Sequence, residues 1–358
     1  MKRLLILTVV SFTALSFLGA QAKEPEELEM VQSIPRSIGV YCLAISNDGR
    51  FLYSTGPSIF KRDAETGQLT PADALPANAL GGGVRVQLSA DGKYLATGGV
   101  VCKRDEETGG LSKIADVSDA TTGPYSSADD ASFSRDNRFL YTVSNNGVGV
   151  FQLEDEKITF VQSAEADDLK GLRAIVVSPD SHWVYAAGTS SNTLGVFRRD
   201  ETSGKLESVQ LLSDGQDGVT GLNGIFRLAV SGDGKDLYVS AGRFVAEEVI
   251  SGFEVQSDGQ LKLFQQFVNG ADDFSEFEGA NDIKVSADGK SVFAVASVSD
   301  RLFRFSRNLE NGKLIFVASQ QAGTFASPGA AALCFSPDGK FVYVGDEAEK
   351  AIEVYKLP

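Results

Sequence analysis

The chain holds one histidine, one tryptophan, two methionines, three cysteines and ten prolines among 358 residues. Each scarcity excludes something. With His182 the only imidazole, neither a histidine pair nor a His-Cys cage for zinc can be built. Three cysteines make no disulfide scaffold, and the odd count leaves at least one thiol unpaired. Positive charge is short too: 33 Lys and Arg face 48 Asp and Glu, a net charge of -15 with an isoelectric point near 4.6. Such a polyanion lacks the clustered cations that phosphate backbones require, so nucleic acid is not an expected partner. After residue 18 no apolar run approaches the length of a membrane-spanning helix. What the chain has in quantity is glycine, 37 residues, within a composition that is 42% hydrophobic and 23% charged. That balance excludes wholesale disorder and describes a globular protein rich in turns.

The first 22 residues read as an address. Lys2 and Arg3 precede an apolar run from Leu4 to Leu18, which ends in Gly19-Ala20-Gln21-Ala22. Small residues at Ala20 and Ala22 match a signal-peptidase site, with cleavage before Lys23. No cysteine follows to carry a lipid. The expected product is residues 23–358, one domain, periplasmic or secreted, monomeric and without a membrane span. Cys42 and Cys334 fall in comparable strands of the first and last repeats. They are candidates for a disulfide, or all three of Cys42, Cys102 and Cys334 are small buried hydrophobes.

One pattern recurs seven times: an apolar strand, Ser-x-Asp-Gly, then a second strand bearing an aromatic residue. AISNDGRFLYSTG, QLSADGKYLATGG and CFSPDGKFVYVGD are examples. The repeat serines are Ser46, Ser89, Ser134, Ser178, Ser231, Ser286 and Ser336, at spacings between 43 and 55 residues. Asp-Gly between alternating apolar runs is a strong hairpin signal. A second hairpin follows in six units, as in IFKRDAETGQLT and VFRRDETSGKLE. Four short strands per unit, with no helical period anywhere, predict an all-β, seven-bladed β-propeller. The seventh unit stops at its third strand, AIEVYKLP. The segment Leu28–Ile34 precedes the first unit and shares Val-Gln-Ser with the outer strand of the third. The N-terminal strand is therefore expected to complete the last blade and close the ring.

These repeats resemble the YVTN-type repeats of the lactonase-like seven-bladed propellers, the family that includes 6-phosphogluconolactonases. The resemblance rests on SPDGKFVYVGD, SADGKYLATGG and the FxRDxxTGxL hairpins, and runs almost the length of the mature chain. It implies a site at the mouth of the central channel. It also implies an Arg-His pair in a Gly-Pro-Arg-His motif before an inner strand. The matching stretch is Gly171-Leu172-Arg173-Ala174, which keeps the arginine and lacks the histidine. Gly279-Ala280-Asn281-Asp282 resembles the Asn-Asp ligand pair of metal-dependent gluconolactonase propellers. This makes Asn281 and Asp282 candidate ligands for Ca²⁺, the one cofactor considered, with acidic loops preceding them.

The position four before each repeat serine carries Cys42, Arg85, Asp130, Ala174, Arg227, Asp282 and Ala332. Two arginines and two aspartates thus share one rim of the channel, with Arg173 one residue earlier in its blade. They read either as ion pairs between adjacent blades (Arg85 with Asp130, Arg227 with Asp282) or as a polar pocket. In the pocket, Arg85, Arg173 and Arg227 bind an anionic group beside Asp130 and Asp282. The long connections 211–225 and 268–281 are expected recognition loops, and Phe274 and Phe277 in the second either staple it to the ring, the preferred reading, or contact a partner. The preferred reading from sequence is an exported module that binds a small ligand, glycan or protein on its loop-rich face. The alternative is a lactone hydrolase with an altered site.

Overall fold

Each repeat is anchored by a turn that satisfies its own polar groups. In Ser46-Asn47-Asp48-Gly49 the serine hydroxyl donates to Asp48 and accepts the Phe51 amide at 3.0 Å. Asp48 Oδ1 also takes the Arg50 amide at 3.0 Å. The serine-to-aspartate bond recurs at the other six repeat serines. Gly49 carries the chain through a φ of 67°, and the two repeats without glycine place Asn137 and Ser181 at 58° and 62°. The turn needs that left-handed conformation, so these two residues adopt it at some steric cost.

The computed structural model describes residues 27–358, apart from 56–57, 73–84, 118–128, 145–146, 155, 165–167, 244, 246 and 324–328. The candidate signal peptide lies outside the described residues. Strands form seven four-stranded antiparallel sheets, as expected for a propeller. Among the described residues there is no helix long and apolar enough to cross a membrane. From the first blade to the seventh, the inner strands are Leu43–Ile45, Gln87–Leu88, Asp130–Phe133, Leu172–Val177, Ile225–Val230, Ala280–Val285 and Ala330–Phe335. One face of the ring carries the repeat turns. The other carries the connections between blades.

The ring closes as the sequence implies. Glu29–Pro35 pairs antiparallel with the third strand of the seventh blade, Ala351–Lys356, and becomes that blade's outer strand. A glutamine clamp then ties it to both neighbours. Gln32 donates to Leu69 O at 3.0 Å and accepts the Leu69 amide at 2.7 Å, while Gln320 of the sixth blade accepts the Leu28 amide at 2.7 Å. Gln162 clamps Leu206 in the same two-way manner. The shared Val-Gln-Ser therefore marks a shared mechanical role.

Apolar burial lies in the seams between blades. One cluster joins Tyr185 and Leu194 of the fourth blade to Leu237 and Phe253 of the fifth, and another joins Ile283 and Phe303 of the sixth to Tyr238 of the fifth. Four seams add an arginine latch. Arg199 donates from Nε to Tyr141 OH at 2.8 Å and from Nη2 to Asp136 at 2.7 Å, and Tyr141 donates onward to Gly204 O at 3.0 Å. Arg62, Arg104 and Arg307 repeat this with Tyr343, Tyr53 and Tyr238. Gly67, at the tip of one outer hairpin, lies so close to the Phe341 ring that a Cβ would sit 2.4 Å from it, so only glycine fits. Cys42, Cys102 and Cys334 are all free thiols.

Deleting residues 23–35 removes the closing strand and both of its clamps. A severe fall in melting temperature, or failure to fold, is expected in a thermal scan. An unchanged melting curve overturns this closure.

Candidate functional site

The inner strand of each blade turns one edge to the channel, where its N–H and C=O groups have no further strand to pair with. Backbone groups left unpaired in an enclosed space cost free energy. The rim residues address this. Arg85 donates from Nη1 to Tyr41 O of the preceding blade at 2.8 Å, and Arg227 donates to Arg173 O of its preceding blade at 3.1 Å. Those two carbonyls occupy equivalent positions, five before the repeat serine. Asp130 accepts the Ile175 amide of the following blade at 3.2 Å, and Asp282 accepts the Leu333 amide of its following blade at 3.0 Å. Those amides are also equivalent, three before the serine. Arginine hooks a carbonyl behind it; aspartate hooks an amide ahead of it. No ion pair joins Arg85 to Asp130 or Arg227 to Asp282 among the described residues.

The two aspartates share a backbone role and differ in surroundings. Asp282 has the Lys284 ammonium 3.4 Å away and is almost wholly buried. Asp130 has no such direct partner. It is partly accessible from the channel yet enclosed by protein, and burial pushes its carboxyl up to about 6 despite the opposing charges of Arg85 and Lys284. Lys284 sits two before its repeat serine, a position held elsewhere by Ala44, Gln87, Ser132, Val176, Ala229 and Cys334. Burial works against its charge, but Asp282, Cys42 and Asp130 prevail and hold the ammonium above the ordinary lysine value. Between the second and third blades lies a cavity of about 10 Å³, bordered by Arg85, Gln87, Thr142 and Asp130. Arg85 Nε and Thr142 Oγ1 are buried there without a partner. The space approximates one water molecule.

Arg173 stands at the rim with its side chain 47% exposed and pairs with Asp129 at 3.2 Å. Across the mouth runs a contact that the sequence reading missed. Arg243, from the loop after the second strand of the fifth blade, grips Glu347 of the seventh blade with bonds of 3.0 and 2.9 Å. Its other nitrogen donates to Asn281 Oδ1 at 2.9 Å. Arg227 and Arg243 both lie over the Phe226 ring, 3.9 and 4.8 Å from its centre. Lys284 was visible in the sequence as the one charged residue in its column. Arg243 and Glu347 lie in loops outside the repeat and offered no such signal.

Asn281 and Asp282 do not fit a calcium site. Asn281 Oδ1 takes a guanidinium proton, both Asp282 oxygens take backbone amides, and an ammonium stands beside them. The acidic loops serve other ends: Asp214 caps the Leu222 amide at 2.9 Å, and Glu276 pairs with Arg301 at 2.5 Å. Among the described residues no three His, Cys, Asp or Glu side chains are grouped to hold a metal ion. Phe274 and Phe277 are 2% and 0% exposed, and they staple their loop into an aromatic cluster with Phe303 and Phe305. His182 lies in its repeat turn on the opposite face, between Asp180 at 3.1 Å and Glu201 at 2.7 Å. Ala174 is buried in the inner strand where the resembled motif has histidine.

A seven-bladed ring with charged groups in its channel defines the class: a β-propeller with a polar axial site. The sequence profile of the seven-bladed β-propeller lactonases matches residues 99–220 and 244–358, and the chain belongs to that family. Similar solved structures include a candidate 6-phosphogluconolactonase from Bacteroides uniformis, with a TM-score of 0.65, 21% identity, and coverage of 90% of this chain and 91% of that one. Another, from Bacteroides fragilis, has a TM-score of 0.67 at 18% identity, covering 90% of each chain. The periplasmic gluconolactonase PpgL of Pseudomonas aeruginosa has a TM-score of 0.61 at 20% identity, covering 79% of this chain and 85% of that one. At these identities the likeness is one of fold. No curated protein matches the sequence.

Replacing Arg227, itself buried, by Ala leaves the Arg173 carbonyl and the buried Phe226 carbonyl without their guanidinium donor. A loss of about 1–3 kcal/mol in chemical denaturation is expected, the cost of an orphaned buried polar group. Full retention of stability overturns the hook.

Proposed function

We propose that the protein is a lactone hydrolase acting at the channel mouth on the face that carries the connections between blades. Membership of the lactonase family carries this reading. It favours catalysis over the binding module preferred from sequence. The turn-bearing face offers a histidine held between two carboxylates; the channel mouth on the opposite face offers a carboxyl raised to near neutrality, an ammonium and exposed arginine charge.

In the proposed reaction Asp130 is the general base. As a carboxylate it takes a proton from a water in the adjoining cavity, and the water oxygen bonds to the lactone carbonyl carbon. Charge moves to the carbonyl oxygen, where Lys284 and Arg85 supply positive potential. The ring C–O bond then breaks, and the departing alkoxide recovers a proton from the Asp130 acid. Arg173, exposed at the rim, orients the substrate. Asp130 must start ionised, so kcat/KM rises with pH through an apparent pKa near 6 and levels off above it.

The test is turnover of a panel of aldonolactones by the purified mature chain, followed by proton release. Asp130→Asn is expected to lower kcat at least about 100-fold, the scale of a general base, with the melting curve close to wild type. Arg173→Ala is expected to raise KM. No turnover on any lactone, with tight binding of one of them, restores the binding module.

We also infer export, supported by the charged start, apolar run and Ala20-Gln21-Ala22 of the first 22 residues. Expression of the full chain in a bacterium is expected to yield a periplasmic or secreted product whose measured mass begins at Lys23. A product retaining residues 1–22 in the cytosol overturns that reading.

A further inference from the structure

The seam between the sixth and seventh blades holds a charge arrangement that neither the hooks nor the proposed reaction uses. Glu353 lies in the third strand of the seventh blade, paired across the backbone with Ser33 of the closing strand and Val344. Its side chain is 0% exposed, and neither carboxyl oxygen has a hydrogen-bond partner. The charged groups that act on it are three acids: Asp346 from the neighbouring strand, Glu349 from the turn between them, and Asp300 from the sixth blade. Tyr355, on its own strand, gives its hydroxyl to Ala322 O. The cations of these two blades are placed elsewhere: Lys350 and Lys356 are exposed, Arg301 is engaged by Glu276, and Arg304 lies with Phe293, Phe335 and Leu357.

The other acids are partly provided for. Asp300 accepts Gln321 Nε2 at 2.7 Å and the Ala330 amide at 3.3 Å. Asp346 accepts the Glu349 amide through one oxygen, while its second oxygen is buried and unpartnered. Glu353 receives no hydrogen bond from any other residue. An ionised carboxylate cannot persist unpaired among other carboxylates in an apolar seam, so the group holds its proton or the seam yields.

We propose that this seam is a proton-operated latch on the closing blade: protonated Glu353 lets the seventh blade seat against the sixth, and its deprotonation loosens the blade and the N-terminal strand that completes the ring. Burial and the three neighbouring acids push the Glu353 carboxyl up to about 9, and Asp346 is pushed up to about 6 by burial and by Asp300 and Glu349. The sign follows. The folded state binds a proton that the unfolded chain, with an ordinary glutamic acid, releases near 4.5. Stability from this group is full below that pH, declines as pH rises, and is lost by about 9.

The experiment compares melting temperatures of wild type and Glu353→Gln from pH 5 to pH 9. Glutamine keeps the shape of the protonated acid and has no proton to lose. Its melting temperature is expected to exceed that of wild type by a margin that widens steadily with pH, reaching several degrees at pH 9. Hydrogen exchange in wild type is expected to quicken with pH in Glu29–Pro35 more than in the third blade, after correction for intrinsic exchange. A margin that stays constant, or a variant less stable at every pH, overturns the latch. So does a rise in wild-type melting temperature at pH 8 on adding Ca²⁺, absent in Glu353→Gln, because a cation would then be the neutralising partner. Should Glu353→Gln fail to fold, infrared spectroscopy of wild type at pH 7 decides. A protonated carboxyl band that disappears toward pH 9 supports the latch; its absence at pH 7 overturns it.

Discussion

A guanidinium group with three directions of donation holds much of this ring together. Arg199 reaches a tyrosine hydroxyl and a turn aspartate of the preceding blade, and at 3.3 Å the Ser181 carbonyl of its own. Its side chain is 1% exposed and the aspartate 34% exposed, so the charge is buried at one end and wetted at the other. Hydrogen bonds to charged groups contribute about 1.5–3 kcal/mol each, and the half-wet carboxylate spares the pair the full desolvation penalty of a dry salt bridge. The tyrosine then passes the connection to a glycine carbonyl at the tip of the next hairpin. The tip must be glycine because an aromatic ring lies against it. One arginine thus explains why the tyrosine, the Ser-x-Asp turn and a glycine tip recur together in each latched seam, the tip being Thr-Gly at Gly67 and Gly109, Ser-Gly at Gly204 and Asn-Gly at Gly312.

Not every seam has the latch. The equivalent positions in the third, fifth and seventh blades are Leu153, Val255 and Leu357, identified by the same backbone bond to the preceding hairpin. Tyr185 shows the consequence: its seam has the tyrosine but Val255 in place of arginine, and its hydroxyl is buried without a partner. The channel hooks compensate in part. The Arg227 hook crosses this same seam, and the Asp282 hook crosses the seam between the sixth and seventh blades. The ring therefore uses two devices at different depths, a latch beneath the turn-bearing face and a hook at the channel.

Much of this was legible in sequence because it repeats. The Ser-x-Asp-Gly turn, the closing strand and its Val-Gln-Ser, and the stapling of Phe274 and Phe277 all follow from local chemistry or from register across copies. The rim column was legible as a place. Its chemistry was not. Arg85 and Asp130 look like an ion pair when side chains alone are compared, whereas the stronger demand comes from backbone groups of the neighbouring strand, which no sequence column displays. Arg243 and Glu347 were hidden for a related reason: their bond spans non-adjacent blades, and only the closed ring brings residues 104 apart together. His182, conspicuous as the only histidine, proved to belong to a turn.

The seam between the second and third blades has neither latch nor hook among the described residues. Leu153 stands at the latch position, and the rim groups on either side point away from the seam, Arg85 toward the first blade and Asp130 toward the fourth. What lies between them is the small cavity with its unpartnered Arg85 Nε and Thr142 Oγ1. Packing that closed this seam with a salt bridge would pair Asp130 directly with a cation, as the Lys284 ammonium stands 3.4 Å from Asp282. Hooking each residue outward keeps an arginine and a carboxyl facing one space while committing neither to the other. The stability forgone at this seam is thus the same arrangement that leaves a carboxyl near neutrality beside positive charge, the pairing that the proposed hydrolysis would use.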